Sequence, residues 1–224
     1  MKQKKASMGW EIASEGDALK KAREDPRFPY VVTLARATNA LNLATTILPH
    51  IEDASSPAGA RDLWNSFFFT CGILYEALQL VKKMNKEFKD DDRFQKGLKT
   101  LLKDPRAKRV ENPHWAPVRN RAVFHFDPSW FEEQLKRSAF DKCIFVRAEG
   151  KKKKGIYYPF PDELVMELMV GVAIESKDFE PKLHAMAKDT TALAIEFSNM
   201  AEDLIAHTLH EWGFRLSEIP ASKF

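Results

Sequence analysis

The chain has 224 residues, 44% hydrophobic and 30% charged, an ordinary globular composition whose length suits one large domain and a sizeable core. Its net charge is only +3, which excludes a polycation and leaves any attraction for nucleic acid to local clusters of Lys and Arg. No apolar run approaches the ~18 residues of a membrane span, and no apolar stretch follows the basic Met1-Lys2-Gln3-Lys4-Lys5, so no signal peptide and a cytoplasmic location are expected.

Residues 1–29 are polar and end in Asp25-Pro26-Arg27-Phe28-Pro29. Two close prolines stop a helix, so an N-terminal arm is expected over 1–29, with room for a short helix at 16–24. Residues 30–224 then form a single helical domain. From Tyr30 to His50, Val31, Leu34, Leu41, Ala44, Ile47 and Leu48 recur at helical spacing. Ser55-Ser56-Pro57 supplies a cap and a first-turn proline for a long helix. Its apolar face carries Leu63, Phe67, Thr70, Leu74, Ala77, Leu78 and Val81, widened by Trp64, Phe68 and Cys71. So broad a face predicts a central helix. Asp90-Asp91-Asp92 opens another helix, with Phe94, Leu98, Leu101 and Leu102 inward, which Asp104-Pro105 ends.

A basic linker with Arg106, Lys108 and Arg109 follows, and then a helix from about Trp115 to Phe126. Asp127 and Pro128 read as the N-cap and first residue of its successor. The period then changes. Residues 143–148 and 156–160 are aromatic and β-branched, with Glu149-Gly150 and the lysines 151–154 between them. This predicts a small β-hairpin insertion near residues 143–160 that must pack on the helices or on a partner. Helical spacing returns over 161–175 and again from about Phe179 to Trp212, where Leu183, Met186, Thr190, Leu193, Phe197, Met200, Leu204 and Thr208 share a face. The expected fold is mainly α, a bundle of long helices. Cys71 and Cys143 have no CxxC partner and read as free buried thiols in a reducing compartment.

One segment carries candidate chemistry: Val118-Arg119-Asn120-Arg121-Ala122-Val123-Phe124-His125-Phe126. A bare Arg-to-His spacing recurs at Arg109 and His114, but only the first has Asn directly after the Arg and a predicted helix around it. This Arg-Asn-x4-His segment resembles that of a family of metal-independent ribonucleases, the HEPN superfamily, and cleaving RNA in that way needs the ribose 2′-OH to attack the neighbouring phosphate. Histidine suits the acid or base role because its pKa lies near neutrality. A guanidinium fork suits the negative charge that gathers on the phosphorane. Six residues set Arg119 and His125 about 120° apart around a helix, so one helix supplies only part of a site. Eight Lys or Arg against two acidic residues fall between Lys96 and Arg121. This makes Arg106, Lys108, Arg109 and Arg121 the candidate RNA-binding set.

The Arg-Asn-x4-His pattern in a helical chain resembles the signature of the HEPN superfamily, the abortive-infection type in particular. The resemblance implies an all-helical fold and a metal-independent endoribonuclease with no cofactor. It makes Arg119 the phosphate stabiliser, Asn120 the positioning group and His125 the acid or base. It also implies RNA as substrate, a homodimer, and an antitoxin or nucleotidyltransferase partner in a toxin or phage-defence setting. The alternative is a non-catalytic helical dimer that binds a partner protein or nucleotide. A third reading takes His207 and His210, three apart on the last helix, as metal ligands. No second helix offers a complementary ExxH or HExxH pair, and no metal site is expected.

Overall fold

The computed structural model describes residues 8–13, 17–47, 57–111, 128–137, 148–149, 156–157, 159–171 and 176–220. In chain order the elements are β1 (Met8–Ala13), α1 (Asp17–Glu24), α2 (Phe28–Ile47), α3 (Pro57–Met84), α4 (Asp92–Lys96), α5 (Leu98–Leu101) and α6 (Pro105–Val110). They continue with α7 (Pro128–Arg137), β2 (Ala148–Glu149), β3 (Ile156–Tyr157), α8 (Pro159–Val170), α9 (Phe179–Glu211) and β4 (Arg215–Pro220). The chain is mainly helical. No helix among the described residues is long and apolar enough to cross a membrane.

Three long helices make the frame. α2 lies against both α3 and α9, and α9 also touches α3 and α8. α2 and α9 run antiparallel, because Arg27 meets Glu211 while Asn42 meets Glu202. The predicted faces form the core. Val31, Leu34, Leu41 and Ala44 of α2 are buried, as are Phe67, Phe68, Thr70, Cys71, Leu74, Ala77, Leu78 and Val81 of α3. On α9, Thr190, Leu193, Phe197, Leu204 and Thr208 are buried, while Leu183, Met186 and Met200 pack at the margin. Cys71 is a free thiol; burial pushes it up, against a hydrogen bond with Thr190. Cys143 lies outside the described residues.

The segment expected to be an arm carries α1, whose Ala22 joins the core and whose Ala18 is buried. Lys21 Nζ donates to the Glu211 carbonyl at 2.8 Å, capping the end of α9. A further feature was not foreseen: β1 pairs antiparallel with β4, from Met8↔Pro220 to Ala13↔Arg215, tying the two ends of the chain together. Within the predicted hairpin interval, β2 and β3 pair antiparallel through Ala148↔Tyr157 and Glu149↔Ile156 and lie against α3. The lysine run lies outside the described residues.

The helix expected after Asp90 is two helices, split at Gly97. Asp91 caps α4 by accepting from the Phe94 N–H at 2.9 Å. At Gly97 a Cβ would sit 2.5 Å from the Arg93 carbonyl oxygen, on rigid backbone. The glycine lets the chain turn, so that Phe94, Leu98 and Leu101 all reach the core. Gly97→Ala is expected to cost about 1–3 kcal/mol, seen as a lower urea midpoint with an unchanged m-value.

α9 ends in a Schellman motif. The Phe214 N–H donates to the Leu209 carbonyl at 3.0 Å, and the Gly213 N–H to the His210 carbonyl at 2.9 Å. Gly213 has φ of 94°, and an added Cβ would meet nothing nearer than Ala18 Cβ at 3.9 Å. Backbone strain is then the sole cost of Gly213→Ala, about 1 kcal/mol, and thermal unfolding should show a correspondingly small fall in Tm.

Candidate functional site

Arg119, Asn120 and His125, with Arg121 of the basic set, lie outside the described residues, in the interval between α6 and α7. The structure shows the framework on both sides. α6 ends in Glu111 as C-cap, and α7 opens at Pro128.

The stretch read as a basic linker is the helix α6. Asp104 starts it by accepting from the Arg106 N–H at 2.7 Å, with Pro105 in the first turn. The same carboxylate takes Arg106 Nε at 3.1 Å and Nη2 at 2.7 Å. Arg106 Nη1 and Nη2 then reach Glu196 on α9 at 3.0 and 2.6 Å. Arg109 pairs with Asp189, also on α9. At the other end, Glu111 accepts from Gln79 at 2.7 Å and pairs with Lys82 at 2.6 Å, both on α3. Short as it is, α6 is strapped to two long helices, and the chain leaves it toward the Arg119 interval from a fixed point.

These straps change the reading of the candidate RNA-binding set. Asp104, then Glu196, holds the Arg106 guanidinium protonated well above its ordinary range, and Arg106 in turn holds Asp104 below the usual carboxylate range. The Arg106 side chain is 23% exposed with both edges of its fork occupied. Arg109 is more exposed but paired. Lys108 is exposed on the same helix. The structure brings the three together on one element, while the acids of α9 answer two of them.

The same device recurs at the other end of α9. Asp25 accepts from the Arg27 N–H at 2.8 Å and takes Arg27 Nε at 3.1 Å and Nη2 at 2.8 Å. Arg27 Nη1 then reaches Glu211 at 2.9 Å. Trp212 Nε1 donates to Asp25 at 2.8 Å. The Arg27 guanidinium lies 5.8 Å from both the Phe88 and Trp212 ring centroids. The Arg27 fork, foremost, with Trp212 and the backbone N–H, lowers the Asp25 carboxyl to about 2. A sequence signal for both clasps existed: Asp-Pro-Arg occurs twice, at 25–27 and 104–106. Read as a helix stop alone, it hid the Arg that folds back onto its Asp and reaches α9.

Beside the Asp25–Arg27 clasp is an open cleft of about 440 Å³, whose lining includes Arg27, Glu87, Asp90, Asp92, His207 and Glu211. Its charges are largely answered by neighbours. Asp92 pairs with Lys96 at 2.8 Å, and His207 Nε2 lies 3.3 Å from Glu211. His207 therefore faces a carboxylate on its own helix. Among the described residues, no three His, Cys, Asp or Glu side chains converge so as to hold a metal ion.

Comparison of the chain with protein-family models, with curated proteins and with solved structures finds no match.

Proposed function

We propose that the protein is a HEPN-like, metal-independent ribonuclease acting in a toxin or phage-defence setting. His125 is its acid or base, Arg119 its phosphate stabiliser and Asn120 its positioning group. The observation that carries this reading is the Arg-Asn-x4-His pattern in a mainly helical chain, in an interval with α6 on one side and α7 on the other. Among the described residues of the candidate RNA-binding set, Lys108 is the cation at hand for the RNA backbone, joined by Arg109 when phosphate competes with Asp189; Arg121 completes the set. RNA cleavage that persists in EDTA, leaves a 2′,3′-cyclic phosphate and disappears in His125→Ala is the expected result. Identical treatment of RNA by wild type and His125→Ala ends the reading.

One observation favours a second reading, the non-catalytic helical module. Arg106 and Arg109 are both bound to carboxylates of α9, which reduces the charge offered to RNA. Under that reading Arg119→Ala and His125→Ala lower the melting temperature and leave RNA turnover at background.

A further inference from the structure

A helix with one side in water ordinarily carries charge on that side. α2 does not follow this rule: Arg36 is the one charged residue in its 20. The exposed residues Val32, Arg36, Asn39 and Leu43 succeed each other at spacings of four, three and four, so they form one stripe along the helix. Val32 is 52% exposed and Leu43 59%. On the neighbouring α9, the exposed residues Ile195, Asn199, Glu202 and Ala206 repeat the same spacing, and Ile195 is 47% exposed. The stripes adjoin at a seam where Asn42 Nδ2 donates to Glu202 Oε1 at 3.0 Å.

Each stripe has a single charge, and the signs are opposite. Among the described residues Arg36 has no partner, and Glu202 takes only the neutral Asn42 amide. An antiparallel pair of stripes with apolar residues and one charge of each sign is self-complementary, as an interface about a two-fold axis requires. We propose that the α2–α9 face is where a second copy of this chain docks, with Val32, Leu43 and Ile195 in the contact and Arg36 of one protomer answering Glu202 of the other. Each stripe runs eleven residue steps, about 17 Å, and the two side by side cover about 340 Å², the centre of an interface to which each partner ordinarily gives ~800 Å². A foreign partner would need no such match of the face to itself. The inference stands on the helical face and does not depend on the nuclease reading.

Sedimentation of the full-length protein tests it. Wild type and His125→Ala are expected to dimerise alike at micromolar concentration, so loss of cleavage and loss of the dimer separate. Leu43→Asp and Ile195→Asp are expected to give monomers with unchanged helix content. Arg36→Glu and Glu202→Arg should each weaken the dimer about tenfold or more, since like charges then meet across the interface. The double reversal should return to within about threefold of wild type. A monomeric wild type, a dimer indifferent to both Asp variants, or a double reversal as weak as either single one overturns the proposal.

Discussion

On the proposed ribonuclease reading, His125→Ala is expected to lower RNA cleavage about 10²–10⁴-fold, the usual worth of a positioned acid or base. The argument comes from the chemistry of the leaving group. Without a metal, the 5′-oxygen departs as an alkoxide unless a proton reaches it in the transition state. Imidazole is the side chain able to deliver that proton near neutral pH. Arg119→Ala should cost about 10²–10³-fold, because the charge on the phosphorane loses its fork of donors. Arg119→Lys should recover only part of this, since an ammonium offers a point charge where the guanidinium makes two parallel bonds. EDTA should leave the wild-type rate unchanged. Each variant's melting curve belongs beside its rate: a fall in rate with the melting temperature held is chemistry, and a fall in both is structure. If all three variants cleave at the wild-type rate, the Arg119 to His125 segment has no catalytic part.

The long helices were legible in the sequence because burial along them repeats every three or four residues for five turns or more. Leu34 and Leu41, Leu74 and Leu78, and Leu193, Phe197 and Leu204 are buried where the spacing put them. Shorter elements escaped. α6 has six residues, too few for a period to show, and its charges resembled those of a linker. The break at Gly97 depends on one backbone contact with Arg93, which no apolar pattern reports. The β1–β4 ladder joins residues some two hundred positions apart, and nothing local in either strand names the other. The clasps were hidden for the same reason: Arg27 and Arg106 complete theirs on Glu211 and Glu196, far along the chain. The candidate catalytic segment was legible as a pattern of residue types, and its flanking helix α7 begins at Pro128, where the proline was expected to start one.

Asp25→Asn is expected to lower stability by about 2 kcal/mol at pH 7, a fall in Tm of about 4–8 °C for a chain of this size. The folded Asp25 carboxyl titrates at about 2 against an ordinary 3.8. A carboxyl depressed by folding contributes stability that is fully present above its unfolded value and is lost as pH falls through its folded one. The gap between wild type and Asp25→Asn should therefore be constant above about pH 5, shrink below pH 4 and nearly close by pH 2. Asp25 and Arg27 are only 19% and 22% exposed, so water screens this pair less than a surface bridge. Arg27→Ala should cost more than Asp25→Asn, because it also strips the guanidinium from between Phe88 and Trp212 and leaves the Asp25 charge half-answered. The double variant should be less damaging than the two single losses added together, since the pair acts as one unit. A stability gap between wild type and Asp25→Asn that stays constant from pH 7 to pH 2 would show that the carboxylate's charge has no part in holding α1 and α2 to the end of α9.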